Sequence, residues 1–283
     1  MKIGYVAMHG NRGSDDTEGH IAFSLEKLGH EVVKIPQTGS PAMARGNFDL
    51  ILFHHWYNVN LGFLATLKAK KVGWYFDKVW KGRDEWLNRV IPVVDHFFMS
   101  DGTWAAGAGH QNLHVLRQGI GDRDMRPGDP QTKRWKAQVA FLGSAYGERA
   151  WWTSRLHEKF GDKFLVYNDV FNRDLYDLCA TVPIIVAPPF PSDDDYWSNR
   201  IYLTLGSGGF LIHPRLAGLA AEFDEGIHYV TYGSDEELEH RIRYYLENDD
   251  ERRKIAVAGA ARMQERFTFT HRVKELLSYV EKA

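Results

Sequence analysis

The chain has 283 residues, enough for about two average domains, and its 44% hydrophobic and 25% charged residues exclude a disordered tail, a collagen-like rod and a small disulfide scaffold. Lys and Arg total 35 against 37 Asp and Glu, a formal net charge of -2, so no overall basic field draws the chain onto nucleic acid or anionic lipid. One cysteine, Cys179, rules out an internal disulfide and every cysteine-rich metal site.

The N-terminus enters an apolar alternation at once (Ile3, Tyr5, Val6, Ala7, Met8), without the charged head, long apolar centre and small-residue cleavage site of a signal peptide. The longest apolar run, Val182 to Phe190, is broken by prolines and falls short of the ~20 residues a membrane helix needs. The expectation is a cytoplasmic chain with no integral membrane contact.

Short apolar runs then alternate with amphipathic stretches. Predicted strands are Lys2–Met8, Glu31–Ile35, Asp49–Phe53, Lys71–Phe76, Asp95–Met99 and Leu113–Leu116. Predicted helices are Glu18–Leu28, Val59–Lys70, Arg83–Val90 and a short one near Trp104. β-rich runs separated by helices argue for a parallel sheet covered on both faces. The stretch from Gln118 to Gln131 is rich in Gly and Pro, lacks apolar periodicity and reads as a linker. The alternation restarts with strands Gln138–Leu142, Lys163–Tyr167, Pro183–Ala187, Phe210–His213 and His228–Thr231. Helices are predicted at Glu148–Phe160, Arg173–Cys179, Tyr196–Leu205, Ala217–Phe223, Asp235–Glu247, Glu251–Arg266 and His271–Lys282. Ser234 and Glu237 form a capping box at one helix start.

The expected organisation is an α/β chain of two Rossmann-like domains facing a central cleft. Residues 1–125 form the first domain, 126–136 the linker, 137–266 the second domain, and 267–283 a terminal helix. That helix carries Val273, Leu276, Leu277 and Val280 on one face, which needs a partner in either domain.

The first predicted strand runs into His9, Gly10, Asn11, Arg12, Gly13 and Ser14. Glycines there let backbone approach a ligand, though a plain tight turn fits equally, and the spacing is not the dinucleotide fingerprint. In the second half, Gly143 and Ser144 make the turn after a strand and Arg149 sits at the next helix start, a competent diphosphate clamp or a solvated surface arginine. Further on come Asp193, Asp194, Asp195, Tyr196, Ser198, Asn199 and Arg200, then Gly206, Ser207, Gly208 and Gly209. Arg200 presents a fork suited to phosphate. The aspartates suit a hard cation or, more simply, helix capping, and no metal is expected.

From Phe141 to Arg272 the chain resembles the GT-B glycosyltransferases of the CgeB-like, glycosyl transferases group 1 kind. The stretches that carry this are Phe141-Leu142-Gly143-Ser144 with Arg149, Ser198-Asn199-Arg200 through Phe210-Leu211-Ile212, and Phe223, Gly226, His228 through Phe267-Thr268 and His271-Arg272. Such an ordered match is more specific than any single motif. In the first half, Gly19-His20 and Gly29-His30-Glu31-Val32 resemble the opening of such enzymes.

The resemblance implies a hexosyl- or pentosyltransferase with the donor held mainly by the second domain and the acceptor mainly by the first. It implies no cofactor beyond a nucleoside-diphosphate sugar as substrate, a UDP-sugar foremost, and no tightly bound metal. Gly143, Ser144, Arg149, Asn199 and Arg200 would meet the diphosphate, with Asp195 and Tyr196 near the nucleoside and His9 and Gly10 in the facing loop. Relatives usually carry a ribose-binding glutamate five residues before the glycine matching Gly208, where this chain has Leu203.

For acceptor activation the candidates are Asp77 first, then His54, with His55 (followed by Trp56) and Asp101 behind them, since a base must reach a hydroxyl unprotonated. The acceptor is a glycan, a small molecule or a hydroxymethylated base in DNA. DNA draws on the Trp content and on Arg123, Arg126, Lys133, Arg134 and Lys136, against the net charge. Competing expectations are a GT-B-like enzyme that hydrolyses or epimerises nucleotide sugars, and a non-catalytic module that binds them.

Overall fold

Burying a parallel sheet on both faces requires a crossover between every pair of strands, and this chain builds that arrangement twice. The computed structural model describes residues 1–9, 16–37, 46–54, 60–122, 128–129, 131–132 and 134–282. Two compact units emerge, Met1–Arg123 with Thr268–Ala283, and Asp124–Phe267.

The first unit runs β1 (Lys2–Ala7), α1 (Thr17–Lys27), β2 (Glu31–Pro36), β3 (Leu50–His54), α2 (Leu61–Thr66), β4 (Lys70–Tyr75), α3 (Arg83–Val90), β5 (His96–Met99), α4 (Gly102–Ala108) and β6 (Leu113–Val115). Its strands are parallel in the order β2-β1-β3-β4-β5-β6. Strand periodicity splits the core: Ile3, Tyr5, Leu50, Leu52, Val72 and Trp74 face one side, and Val6, Ile51, Phe53 and Tyr75 the other.

The second unit runs β7 (Val139–Leu142), α5 (Glu148–Phe160), β8 (Phe164–Tyr167), α6 (Asn172–Thr181), β9 (Ile184–Val186), α7 (Arg200–Gly206), β10 (Leu211–Pro214), β11 (Val230–Tyr232), α8 (Asp235–Glu247) and α9 (Asp249–Arg266). Its strands are also parallel, in the order β11-β10-β9-β7-β8. Counted from the first strand of each unit, both sheets reverse direction beside that strand, at β1/β3 and at β7/β9.

Some expected elements are trimmed by their neighbours. The helix expected over Val59–Lys70 shortens to α2, because Lys70 is already paired with Leu50 as the start of β4. The Asn60 side chain caps α2 by accepting from the Phe63 N–H at 2.9 Å. The helix expected from Tyr196 starts only at Arg200, because Asp193 and Tyr196 exchange both backbone hydrogen bonds in a tight turn. Ala217–Ala221 is a 3-10 turn rather than an α-helix. No described helix is long and apolar enough to cross a membrane.

The chain closes with α10 (Phe269–Lys282), which packs in the first unit. Phe269, Val273, Leu276, Leu277 and Val280 join the core on the α1 side. Backbone polarity is met there too: the Phe269 N–H donates to the Ile120 carbonyl at 2.8 Å, and Arg272 Nε to the Gln118 carbonyl at 3.0 Å. Burial would raise the Asp122 carboxyl. The Thr270 N–H and the Lys27 ammonium 3.1 Å away outweigh it and hold the group below its ordinary range.

Leu276 is fully buried in this seam. Leu276→Ala is expected to destabilise the chain by about 2–5 kcal/mol, read by urea denaturation. A loss under about 1 kcal/mol would show that α10 is not part of the first unit's core.

Candidate functional site

In the second unit the residues of interest converge where β7 and β9 end, beside the reversal of strand order. Gly143 follows β7 with φ of +137°, a conformation that favours glycine. A Cβ there would lie 2.9 Å from Arg200 Nη2. Arg200 enters the site from the start of α7. Its Nε donates to the Leu142 carbonyl at 2.6 Å, its Nη1 to Ser198 Oγ at 2.9 Å, and its guanidinium lies over the Phe141 ring, 4.8 Å from the centroid. Arg149, in the first turn of α5, donates from Nε to the Phe190 carbonyl at 3.4 Å. Its guanidinium sits 5.2 Å from the centroid of the exposed Tyr146 ring.

Among the described residues neither arginine has a carboxylate within ion-pair distance; their partners are carbonyls and a hydroxyl. Burial first, and then the like charge of Arg149, push the Arg200 guanidinium down to about 9. Two cations held at strand ends with no carboxylate partner among the described residues suit an anionic ligand. His213, at the end of β10, is buried beneath it, its Nδ1 on the Pro214 carbonyl at 2.9 Å.

The other expected donor-site residues are less committed. Ser144 is exposed and Asn199 half-buried, its carbonyl accepting from the Leu203 N–H rather than its side chain capping α7. Tyr196 is buried with its hydroxyl near enough to Arg200 to influence it. Asp195 is half-buried, and its N–H donates to Asp193 Oδ1 at 3.3 Å. Asp194 accepts from the Gly218 N–H through its carbonyl at 2.7 Å and from the Ala217 N–H through Oδ1 at 3.4 Å. The acidic run thus binds its own backbone. Among the described residues no three His, Cys, Asp or Glu side chains could hold a metal ion.

In the first unit, His54 ends β3 and is buried, its ring 4.5 Å from that of Phe76. Its Nδ1 lies 3.4 Å from Oε1 of Glu18, in the first turn of α1. Burial alone would raise the Glu18 carboxyl; His54, its own backbone N–H and His9 outweigh that and hold it low. His9 Nε2 is 2.9 Å from the Tyr5 carbonyl. Asp77 is half-buried just past β4. Asp101 is committed to structure, accepting from the Trp104 N–H as the cap of α4 at 3.0 Å and from the Val79 N–H at 2.9 Å. Arg134 is paired with Asp174 at 2.6 Å, and Lys136 is exposed. Gly10, Asn11, Arg12, Gly13, Ser14, His55, Trp56, Arg123, Arg126 and Lys133 lie outside the described residues. Sequence reasoning missed Glu18 and His213. An acid in a helix's first turn and a histidine ending a buried strand are the signals that mark them.

The family model described as glycosyl transferase-like matches residues 130–278. No curated protein sequence matches the chain. Among solved structures, Anabaena HepE in complex with UDP and glucose is similar with a TM-score of 0.67, 14% identity and coverage of 100% of both chains. Sucrose-phosphate synthase from Thermosynechococcus elongatus has a TM-score of 0.73, 10% identity and 99% coverage of each chain. An alpha-glucosyltransferase in complex with UDP and a 13-mer DNA containing an HMU base has a TM-score of 0.72 and 9% identity, with 99% of each chain covered. At these identities the likeness is one of fold, the GT-B pairing of two parallel-sheet α/β units.

Burial pushes the His213 imidazole down to about 4, with Arg200 adding to the effect. A histidine lowered from 6.5 stays neutral in the folded chain while the unfolded chain takes up a proton. Stability is therefore full above about 6.5 and is lost as pH falls towards about 4, at up to ~1.4 kcal/mol per pH unit. His213→Gln is expected to flatten Tm against pH in that window relative to the parent. Equal slopes would show that His213 does not titrate this way.

Proposed function

The chain belongs to the glycosyl transferase-like family, and we propose that it moves a sugar from a UDP-sugar to a hydroxyl acceptor, with the donor diphosphate at Arg149 and Arg200. The observation that carries this reading is the pair of guanidinium groups with no carboxylate partner among the described residues, beside the Gly143 turn. In open α/β folds ligands bind at the carboxyl ends of strands where the strand order reverses, which is where this pair sits. Two of the similar structures hold UDP, one with glucose and one with DNA.

Chemically the arrangement suits departure of a nucleoside diphosphate. Charge builds on the leaving oxygen as the bond from the anomeric carbon breaks. Donors already in place for that oxygen stabilise it without reorganising. The Phe141 face and the Leu142 and Ser198 oxygens hold the Arg200 fork in one orientation, and Gly143 leaves room for phosphate against the backbone. The positive charge takes the role a divalent cation plays in other transferases, so the reaction is metal-independent. Asp77 or His54 takes the acceptor proton. The acceptor is a glycan, a small molecule or a hydroxymethylated DNA base, and the similar structure with HMU-containing DNA supports the last. Leu203, in place of the ribose-binding glutamate, favours a second reading in which the chain binds nucleotide sugars without turning them over.

Arg200→Ala and Arg149→Ala are each expected to weaken UDP binding by about 1.5–3 kcal/mol in calorimetry while the chain stays folded. Parent-like binding by both variants would remove the diphosphate from this place, and tight binding with no turnover of any UDP-sugar would select the binding-only reading. Turnover of UDP-glucose is expected to survive EDTA. Complete loss restored by Mn²⁺ would overturn metal independence and point to the Asp193–Asp195 run.

A further inference from the structure

α7, which carries Arg200, begins without the side-chain cap that helix starts usually have: Asn199 stands at the cap position and its side chain makes no capping hydrogen bond. A clasp of side chains takes that place. The Trp197 Nε1–H donates to the Tyr202 hydroxyl at 3.0 Å, across Ser198, Asn199 and Arg200. The Tyr202 hydroxyl in turn donates to Glu222 Oε2 at 2.6 Å, within the range of charge-assisted bonds. Trp197, Tyr202 and Glu222 are all buried, and chained hydrogen bonds out of water strengthen one another. The Tyr202 ring is held separately, its centroid 6.0 Å from that of Phe223 and 6.3 Å from that of Phe267. The far end of the clasp is fixed too. Glu222 follows the 3-10 turn Ala217–Ala221, and its carbonyl accepts from Arg262 Nε at 3.0 Å. That turn lies against the acidic run: the Gly218 N–H donates to the Asp194 carbonyl at 2.7 Å, and a Cβ on Gly218 would collide with that oxygen. All of these residues belong to the second unit. A buried carboxylate costs more than an apolar side chain in the same place, so core packing alone does not account for Glu222.

We infer that Tyr202 is a positioning residue for the donor diphosphate: anchored on Glu222, its hydroxyl holds Trp197 and so fixes the turn that aims Arg200. The inference rests on the diphosphate reading above. Arg200 and Tyr202 are two residues apart on α7. Trp197 leads directly into Ser198, whose Oγ accepts from Arg200 Nη1 at 2.9 Å. The clasp therefore sets both ends of the segment that carries the guanidinium. From the other side, the Leu142 carbonyl and the Phe141 ring hold the guanidinium itself. Without the Tyr202 hydroxyl, the Trp197 indole N–H and the Glu222 carboxylate lose this link, and the start of α7 is free to shift. A two-pronged contact with phosphate is sensitive to such a shift, because both N–H···O bonds must be aligned at once. Tyr202 and Glu222 thus act through Arg200 rather than on the ligand. A glutamine at 222 keeps an oxygen that accepts the Tyr202 proton, whereas a leucine does not.

The test is a double-mutant cycle on the full chain, with UDP binding read by calorimetry and folding by thermal melting. Tyr202→Phe keeps the ring and removes the hydroxyl, and is expected to weaken UDP binding about tenfold. In the Arg200→Ala background the same change is expected to have no further effect, since the group it positions is gone. A role in folding alone would give equal losses in both backgrounds. Glu222→Leu is expected to match Tyr202→Phe, and Glu222→Gln to bind UDP as the parent does. Should Tyr202→Phe not fold, Glu222→Leu carries the same cycle, with the same two outcomes. Parent-like UDP binding by Tyr202→Phe, or an equal loss in both backgrounds, overturns the role of Tyr202 and leaves the diphosphate at Arg149 and Arg200. A Glu222→Gln variant as weak as Glu222→Leu overturns the anchoring by a shared hydrogen bond. Parent-like binding by Arg200→Ala removes the diphosphate from this place, and the inference with it.

Discussion

The constraint on which the rest depends is that parallel strands need crossovers, and that the crossovers from the first and third strands of each sheet must leave on opposite faces. β1 and β3, and again β7 and β9, are the neighbours at which the strand order reverses. Each unit therefore owns one such place, where strand ends and helix starts meet. Glu18, His54, Arg149 and Arg200 each stand beside one of those two places, while Asp77 lies just past β4.

At β7/β9 the fold holds together what electrostatics would separate. Arg149 and Arg200 repel one another, and burial adds a cost for Arg200. The offsetting interactions are carbonyls fixed by the sheet: Leu142 at the end of β7 and Phe190 after β9. These oxygens cannot be protonated and do not move with pH, so they orient the forks without neutralising them. A carboxylate in either position would satisfy the charge and close the site to an anion.

At β1/β3 the chemistry is of the opposite kind. A carboxylate and an imidazole meet at 3.4 Å, and their neighbours Tyr5 and Asp16 are acids too. Beneath it α10 fills the face under β1 and β3, with Phe269 lying against Trp74 at 6.4 Å between ring centroids. The last element of the chain thus completes the core beneath the first one's site.

Much of this was legible from residue order, because the signals are local. Strand periodicity, caps such as Ser234 and breakers such as the Gly206–Gly209 run act within a few residues, and they locate the strands found among the described residues to within about two residues. Gly143, Arg149 and Arg200 are marked by their place in a turn and at helix starts after strands and by the segments that carry the family resemblance. What depends on distant partners was not legible. The apolar face of α10 announces that it must pack but not against what; α2 ends early because Lys70 pairs with Leu50; and Asp101, a candidate by its place after a strand, is used by the Trp104 and Val79 N–H groups. Glu18 and His54 belong to different elements, and only the strand order brings them to 3.4 Å. The sequence determined the elements because each is settled by its own period and caps, whereas tertiary structure decided the sites because a site is a meeting of elements whose order in space no local pattern encodes.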